Sequence, residues 1–196
     1  MLKQLRFSLA AVAMVAASGC AVNGGWKGAE TEKAYDKDLE IKRLAEVQNN
    51  DDYYQFERDG RIYVLSDAKT YTDFLKIGEI PYSTKKIGGG PGGKTIVYGL
   101  IKNETKLLEK DPRAQGAAQK MFEGNLKGLE KGFFGLVEQD GTYYVFDNWN
   151  TLAAFRQSGS ASGFTEAGGP NGGKVIYVNA ASKPEETAAR FSKLFN

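Results

Sequence analysis

Two stretches of this chain have the residue types and spacing of a chemical site: "GGGPGGK" (Gly88 to Lys94) and "GGPNGGK" (Gly168 to Lys174). A glycine-rich loop ending in lysine holds phosphate when it opens a helix, whose free N–H groups and dipole then face the anion. Each loop here runs instead into "TIVYGLI" or "VIYVNA", which are β-branched, aromatic and strand-like. Thr95 follows Lys94 as a phosphate loop requires, but Val175 follows Lys174. The expectation is no nucleotide. The loops read as mobile crossovers from a helix back to a sheet, with Lys94 and Lys174 at their bases as part of a partner-binding rim.

The remaining inventory is sparse. The chain has no histidine and one cysteine, which removes the usual general base, the Ser-His-Asp and Cys-His arrangements and most zinc or copper sites. Carboxylate pairs could still do acid–base work, and Asp59, Asp67, Asp140 and Asp147 are the candidates. Asp59 and Asp140 already read as turn residues and the other two as helix caps. The prediction is therefore no catalytic residue, no metal ligand and no cofactor. Among the aromatics, Tyr63, Tyr144 and Trp149 are candidates for a surface that docks a protein or a glycan. Adjacent tyrosines on a strand point to opposite faces, one of which helices should cover.

The elements that must position these residues come in two copies. "YYQFERDGRIYVLSDAKTYTDFLKIG" (Tyr53 to Gly78) aligns with "FFGLVEQDGTYYVFDNWNTLAAFRQSG" (Phe133 to Gly159). Asp59-Gly60 falls on Asp140-Gly141, Thr70 on Thr151, Phe74 on Phe155 and Gly78 on Gly159, all at one constant offset. In each copy a strand leads to an Asp-Gly hairpin turn, a second strand, a polar cap, a helix and a glycine suited to a left-handed C-cap. The glycine loop and a last strand follow. A helix precedes each copy, over about 30–47 and again from Asp111-Pro112 through Leu129. Ser182-Lys183-Pro184-Glu185 reads as the capping box of a C-terminal helix. The fold predicted is α+β: a tandem duplication of an α-β-β-α-β unit, packed as one pseudo-two-fold body with a C-terminal helix.

The N-terminus, "MLKQLRFSLAAVAMVAASGC", has a basic start at Lys3 and Arg6, an apolar run from Phe7 to Ala17, and small residues before Cys20. This is the layout of a secretory signal peptide, and the run is too short to span a bilayer. Ala17-Ser18-Gly19-Cys20 resembles the lipobox of bacterial lipoproteins, with Ala17 where leucine is commoner. That resemblance implies acylation of Cys20 and cleavage before it. Ala21 rather than aspartate after the cysteine is similar to outer-membrane lipoproteins, facing the periplasm or the cell surface. A lone cysteine allows no intramolecular disulfide. The boundaries expected are 1–19 signal peptide, 20–29 lipidated tether, 30–102 first repeat and 103–196 second repeat with the closing helix.

The chain carries 26 Lys and Arg against 24 Asp and Glu, and loss of Lys3 and Arg6 with the signal leaves the two balanced. A nucleic-acid binder would show a basic excess, so that class is disfavoured. "DGRIYVLSDAKTYTDF" and "DGTYYVFDNWNTLAAF" resemble the hairpin and helix of YHS-type domains. Members with cysteines there can hold metal. Ser66 and Asp147 or their neighbours stand at those places here, and no soft-metal role carries over. The function expected is a non-enzymatic envelope lipoprotein, membrane-bound through its lipid, that binds a protein partner as an accessory or assembly factor. The alternatives are a periplasmic carbohydrate or peptidoglycan binder and a weak carboxylate hydrolase.

Overall fold

The computed structural model describes residues 36–196, and Cys20 with the expected signal peptide and tether lies outside them. The described chain is α+β, with six helices and one mixed sheet of eight strands. Helix α1 (Lys37–Glu46) leads to β1 (Asp52–Arg58), β2 (Arg61–Leu65), α2 (Ala68–Ile77), β3 (Ser83–Lys86) and β4 (Thr95–Gly99). Helices α3 (Lys102–Lys110) and α4 (Ala117–Glu123) connect to β5 (Phe134–Gln139), β6 (Thr142–Phe146), α5 (Trp149–Ser158), β7 (Gly163–Glu166) and β8 (Lys174–Val178). Helix α6 (Glu185–Lys193) closes the chain.

Local chemistry accounts for most boundaries. Asp59-Gly60 and Asp140-Gly141 have φ of 52° and 70°, and 50° and 72°. Two positive φ values in a two-residue loop give the turn whose twist suits a hairpin. The Asp67 carboxylate accepts the Thr70 N–H, and the Asn148 side chain accepts those of Asn150 and Thr151. Gly78 and Gly159 end α2 and α5 in the left-handed conformation, with φ of 74° and 73°.

The strands lie in the order β3-β4-β2-β1-β5-β6-β8-β7. Segments 52–99 and 134–178 thus run through the same succession of elements and meet where β1 pairs with β5 in parallel. The register there is Tyr53 with Gly135 and Tyr54 with Leu136, whereas the hairpin turns align Tyr54 with Gly135. That one-residue stagger sends matched positions to opposite faces, because side chains on a strand alternate. Tyr63 and Phe74 accordingly lie in a core with α2 and α6, and Phe146 and Phe155 in a second core with α4 and α5. Helices cover both faces of the sheet rather than one, and adjacent Tyr53 and Tyr54 are both buried, one in each core.

Several boundaries differ from the sequence reading. Asp111 ends α3 instead of opening a helix, its N–H donating to the Leu107 carbonyl. The next helix, α4, begins at Ala117 and stops at Gly124, short of Leu126 and Leu129. The reason is Glu104 in α3, whose carboxylate accepts the N–H of Ile101 (3.0 Å) and of Ala117 (2.6 Å) and so ties the starts of both helices together. Helix α6 has no side-chain cap at Pro184, and Lys183 pairs with Glu166 at 2.7 Å. The short strands β3 and β7 were not expected. They form the two edges of the sheet, antiparallel to β4 and β8.

Candidate functional site

The parallel pairing of β1 and β5 ends at Gln55 and Val137. Beyond it the two hairpins continue side by side without a backbone ladder. Both turns follow the C-terminal ends of parallel strands, so both tips emerge at one end of the sheet. Between them lies a cleft of about 730 Å³, lined by both turns, by the strand ends and by Pro91 and Lys94.

Two charge pairs line this cleft, and one of them bridges it. The Arg58 guanidinium donates from both terminal nitrogens to the two oxygens of Glu138, each at 2.9 Å, joining the first hairpin to the second. These bonds hold the guanidinium above its ordinary pKa, and its carbon lies 5.7 Å from the centre of the Phe56 ring. Lys94 Nζ donates to both carboxylate oxygens of Glu57, at 2.7 and 2.6 Å. Asp59 and Asp140 stand at the two tips in their strained turn conformations. Beneath, burial raises the phenol pKa of Tyr71, whose hydroxyl is buried without a hydrogen-bond partner, and Glu138 raises it further while Arg58 opposes.

The glycine loops prove to be built turns inside the β3–β4 and β7–β8 hairpins, not mobile crossovers from a helix. Gly90 donates to the Lys94 carbonyl and Gly93 to that of Gly90; Gly169 donates to Gly173 and Gly172 to Gly169 in the same way. The positive φ values match as well, at Gly92 and Gly93 and at Asn171 and Gly172. Those N–H groups are consumed within the loop, so they do not converge on an anion. The match also separates the two lysines. Lys94 closes the first turn where Gly173 closes the second, and Lys174 is the first residue of β8, opposite Thr142. A Cβ at Gly173 would come within 2.6 Å of the Gly141 carbonyl oxygen, which leaves no room for a lysine there.

Of the aromatic candidates, Tyr63 is 9% exposed and stacks on Phe56 with ring centres 5.2 Å apart. Trp149 is 8% exposed and stands edge-on to Phe133 and Tyr53. Both are core residues, because their strand and helix positions face the helix–sheet interface. Tyr144 keeps a half-buried ring, 4.5 Å from Phe155. Asp67 caps α2, Asp59 and Asp140 make turns, and Asp147 precedes the cap residue of α5. The structure brings no two of these four together as a facing buried pair. The buried acids are elsewhere. Burial raises the pKa of Asp52, opposed by a hydrogen bond from Tyr54 (2.9 Å) and by Arg190, and burial likewise raises that of Glu104. Among the described residues no group of three or more His, Cys, Asp or Glu converges as a metal site, and no helix is long and apolar enough to cross a membrane.

Sequence reasoning missed Arg58, Glu138 and Glu57. Their only local signal is charge next to the Asp-Gly turns, and their meeting depends on β1 lying beside β5. No family model matches the chain, and neither a curated protein nor a solved structure matches it.

Proposed function

We propose that this chain is a lipid-anchored, non-enzymatic envelope protein, acylated at Cys20, that binds a protein partner through the cleft between its hairpin tips. The observation that carries the binding reading is the cleft, open between two independently built hairpins and lined by charged groups, of which the Arg58–Glu138 pair spans it. The Arg58–Glu138 and Lys94–Glu57 pairs present fixed hydrogen-bonding groups along its wall. A glycan site would favour an exposed aromatic floor, whereas the one aromatic lining this cleft, Phe56, is 2% exposed. The lipid reading rests on the lipobox-like residues ending at Cys20.

The body itself we propose to be a tandem duplication, its halves related by an approximate two-fold axis lying in the sheet along the strands. Constant spacing of the turns, caps and phenylalanines supports this, as do the mirrored strand order and the identical turns in both glycine loops.

The experiment has two arms. Cys20→Ala should abolish labelling with a fatty acid and release the protein from the outer-membrane fraction or leave it unprocessed. A variant still sedimenting with that membrane after salt washing refutes the anchor. Lys94→Ala with Lys174→Ala should leave the melting temperature unchanged, since exposed ion pairs contribute little, and should weaken crosslinking to the partner in intact cells. Undiminished crosslinking refutes the cleft rim.

A further inference from the structure

The two edges of the sheet hold equivalent strands in unlike surroundings. Strands β3 and β7 each follow a helix and pair on one side only, antiparallel to the next strand. Around β3, Ile77 ends the preceding helix at 67% exposure, Tyr82 precedes the strand at 53%, and Ile87 follows it at 87%. At the same three places around β7 stand Ser158, Ser162 and Ala167, all exposed. The fold does not require apolar residues there, since the second edge does without them.

The backbone of β3 is also open. The Leu100 N–H donates to the Tyr82 carbonyl at 3.0 Å. Alternation along an antiparallel pair then places Thr84 and Lys86 in the ladder with β4 and turns the N–H and C=O of Ser83 and Lys85 outward. Unpaired strand groups flanked by exposed apolar side chains form a template for another strand.

We propose that the outer edge of β3 receives an extended segment of another protein, added as a further antiparallel strand in which apolar residues alternate with acidic ones. Backbone hydrogen bonds from Ser83 and Lys85 hold the segment; its apolar side chains lie on the face of Tyr82, its acidic ones on the face of Lys85, and its end reaches Ile87 in the turn that follows β3. Charge selects the acidic residues. Lys76 and Lys85 are exposed here, Lys86 on the opposite face of the strand pairs with Glu123 at 3.2 Å, and Glu79 is the one acid between Lys76 and Ile87. The same charge argues against a second copy of this chain, because edge-to-edge pairing would bring the lysines of two β3 strands together. The inference deepens the reading of a protein-binding role and holds whether or not Cys20 is acylated.

The test uses the full purified chain and a fluorescent peptide alternating glutamate with valine, followed by anisotropy. Binding should saturate, and the same peptide with lysine for glutamate should bind about tenfold or more weakly. Lys85→Pro removes an outward N–H together with the Lys85 charge and keeps the β4 ladder. This change and the surface change Ile87→Ser should each weaken binding by a similar factor with melting unchanged. Thr165→Pro, the matching change on β7, should not. Amide exchange at Ser83 and Lys85 should slow when the peptide binds. The proposal is overturned by no binding, by equal affinity in Lys85→Pro and Ile87→Ser, by protection at β7 or the hairpin cleft instead, or by a dimer of the chain that Lys85→Pro dissolves. Persistent in-cell crosslinking with any of those outcomes would sink the edge while leaving the partner-binding reading intact.

Discussion

Phe74 and Phe155 are the clearest place to test how the two halves share stability. They occupy the same position in α2 and α5, 7% and 4% exposed, but lie on opposite faces of the sheet. Phe74 packs with ring centres 4.8 Å from Phe56 and 4.9 Å from Tyr63. Phe155 lies 4.5 Å from Tyr144 and 5.4 Å from Phe146. Truncation to alanine removes the ring's burial and leaves a cavity walled by strand residues that cannot collapse inward, for about 3–5 kcal/mol at each site. Two aromatic contacts go with each ring, which pushes both changes toward the upper end of that range. Against a total of roughly 5–15 kcal/mol for a folded domain, either change should be plain in urea denaturation monitored by circular dichroism. Leucine at either position should cost less, about 1–2 kcal/mol, and serves if alanine prevents folding. Because a sheet separates the two rings, the double leucine variant should be additive within about 0.5 kcal/mol. A cost below about 1.5 kcal/mol for either alanine variant, or strong non-additivity, would refute the placement of one core on each face.

Two further predictions concern charge. In a double-mutant cycle on Arg58 and Glu138, the coupling should be about 0.5–1 kcal/mol, and Arg58→Gln should cost more than Glu138→Gln. Glu138 is the more buried partner, with side-chain exposures of 37% and 14% for the pair, and loses more when left alone; absence of coupling would mean that the hairpins do not meet across the cleft. Glu104 has a carboxyl pKa raised by burial, so the folded state holds its proton to higher pH than the unfolded chain does. Its contribution is therefore fully present below the ordinary glutamate value and is lost as pH rises through the raised one. Glu104→Gln should remove that part of the slope in urea midpoints measured across this range, and parallel slopes in both proteins would contradict the assignment.

The features legible in the sequence are those that a few neighbouring residues decide. An Asp-Gly pair between alternating runs sets a turn, and Gly78 and Gly159 end helices because their left-handed conformation suits glycine. The features that escaped depend on pieces of chain that meet only in the folded state. The Arg58–Glu138 pair spans 80 residues and exists only because β1 runs beside β5. Burial of both sheet faces follows from a one-residue stagger in that pairing, which no local pattern records, and it moved Tyr63 and Trp149 from a candidate surface into the core. Strands β3 and β7, "STKK" and "GFTE", lack the apolar alternation that marks a strand, since an edge strand backed by one neighbour can stay polar. The helix expected from Asp111 failed because Glu104, several residues upstream, supplies the cap.

The differences between the halves matter more for function than their likeness. Under the proposed duplication, the turns, caps and core phenylalanines recur because backbone geometry and packing leave no choice. The cleft and the edge were free to diverge. Glu57 pairs with Lys94 inside the first half, whereas Glu138, at the matching position, reaches across to Arg58. Glycine at 173 is forced by the approach of Gly141, so the second loop cannot reproduce the Lys94 contact. The outer edge of the first half keeps Ile77, Tyr82 and Ile87 in water, and that of the second half keeps small residues there. Exposed isoleucines contribute nothing to the folded monomer and raise its risk of aggregation. Their presence on one edge alone is what a docking site would need and what stability would not.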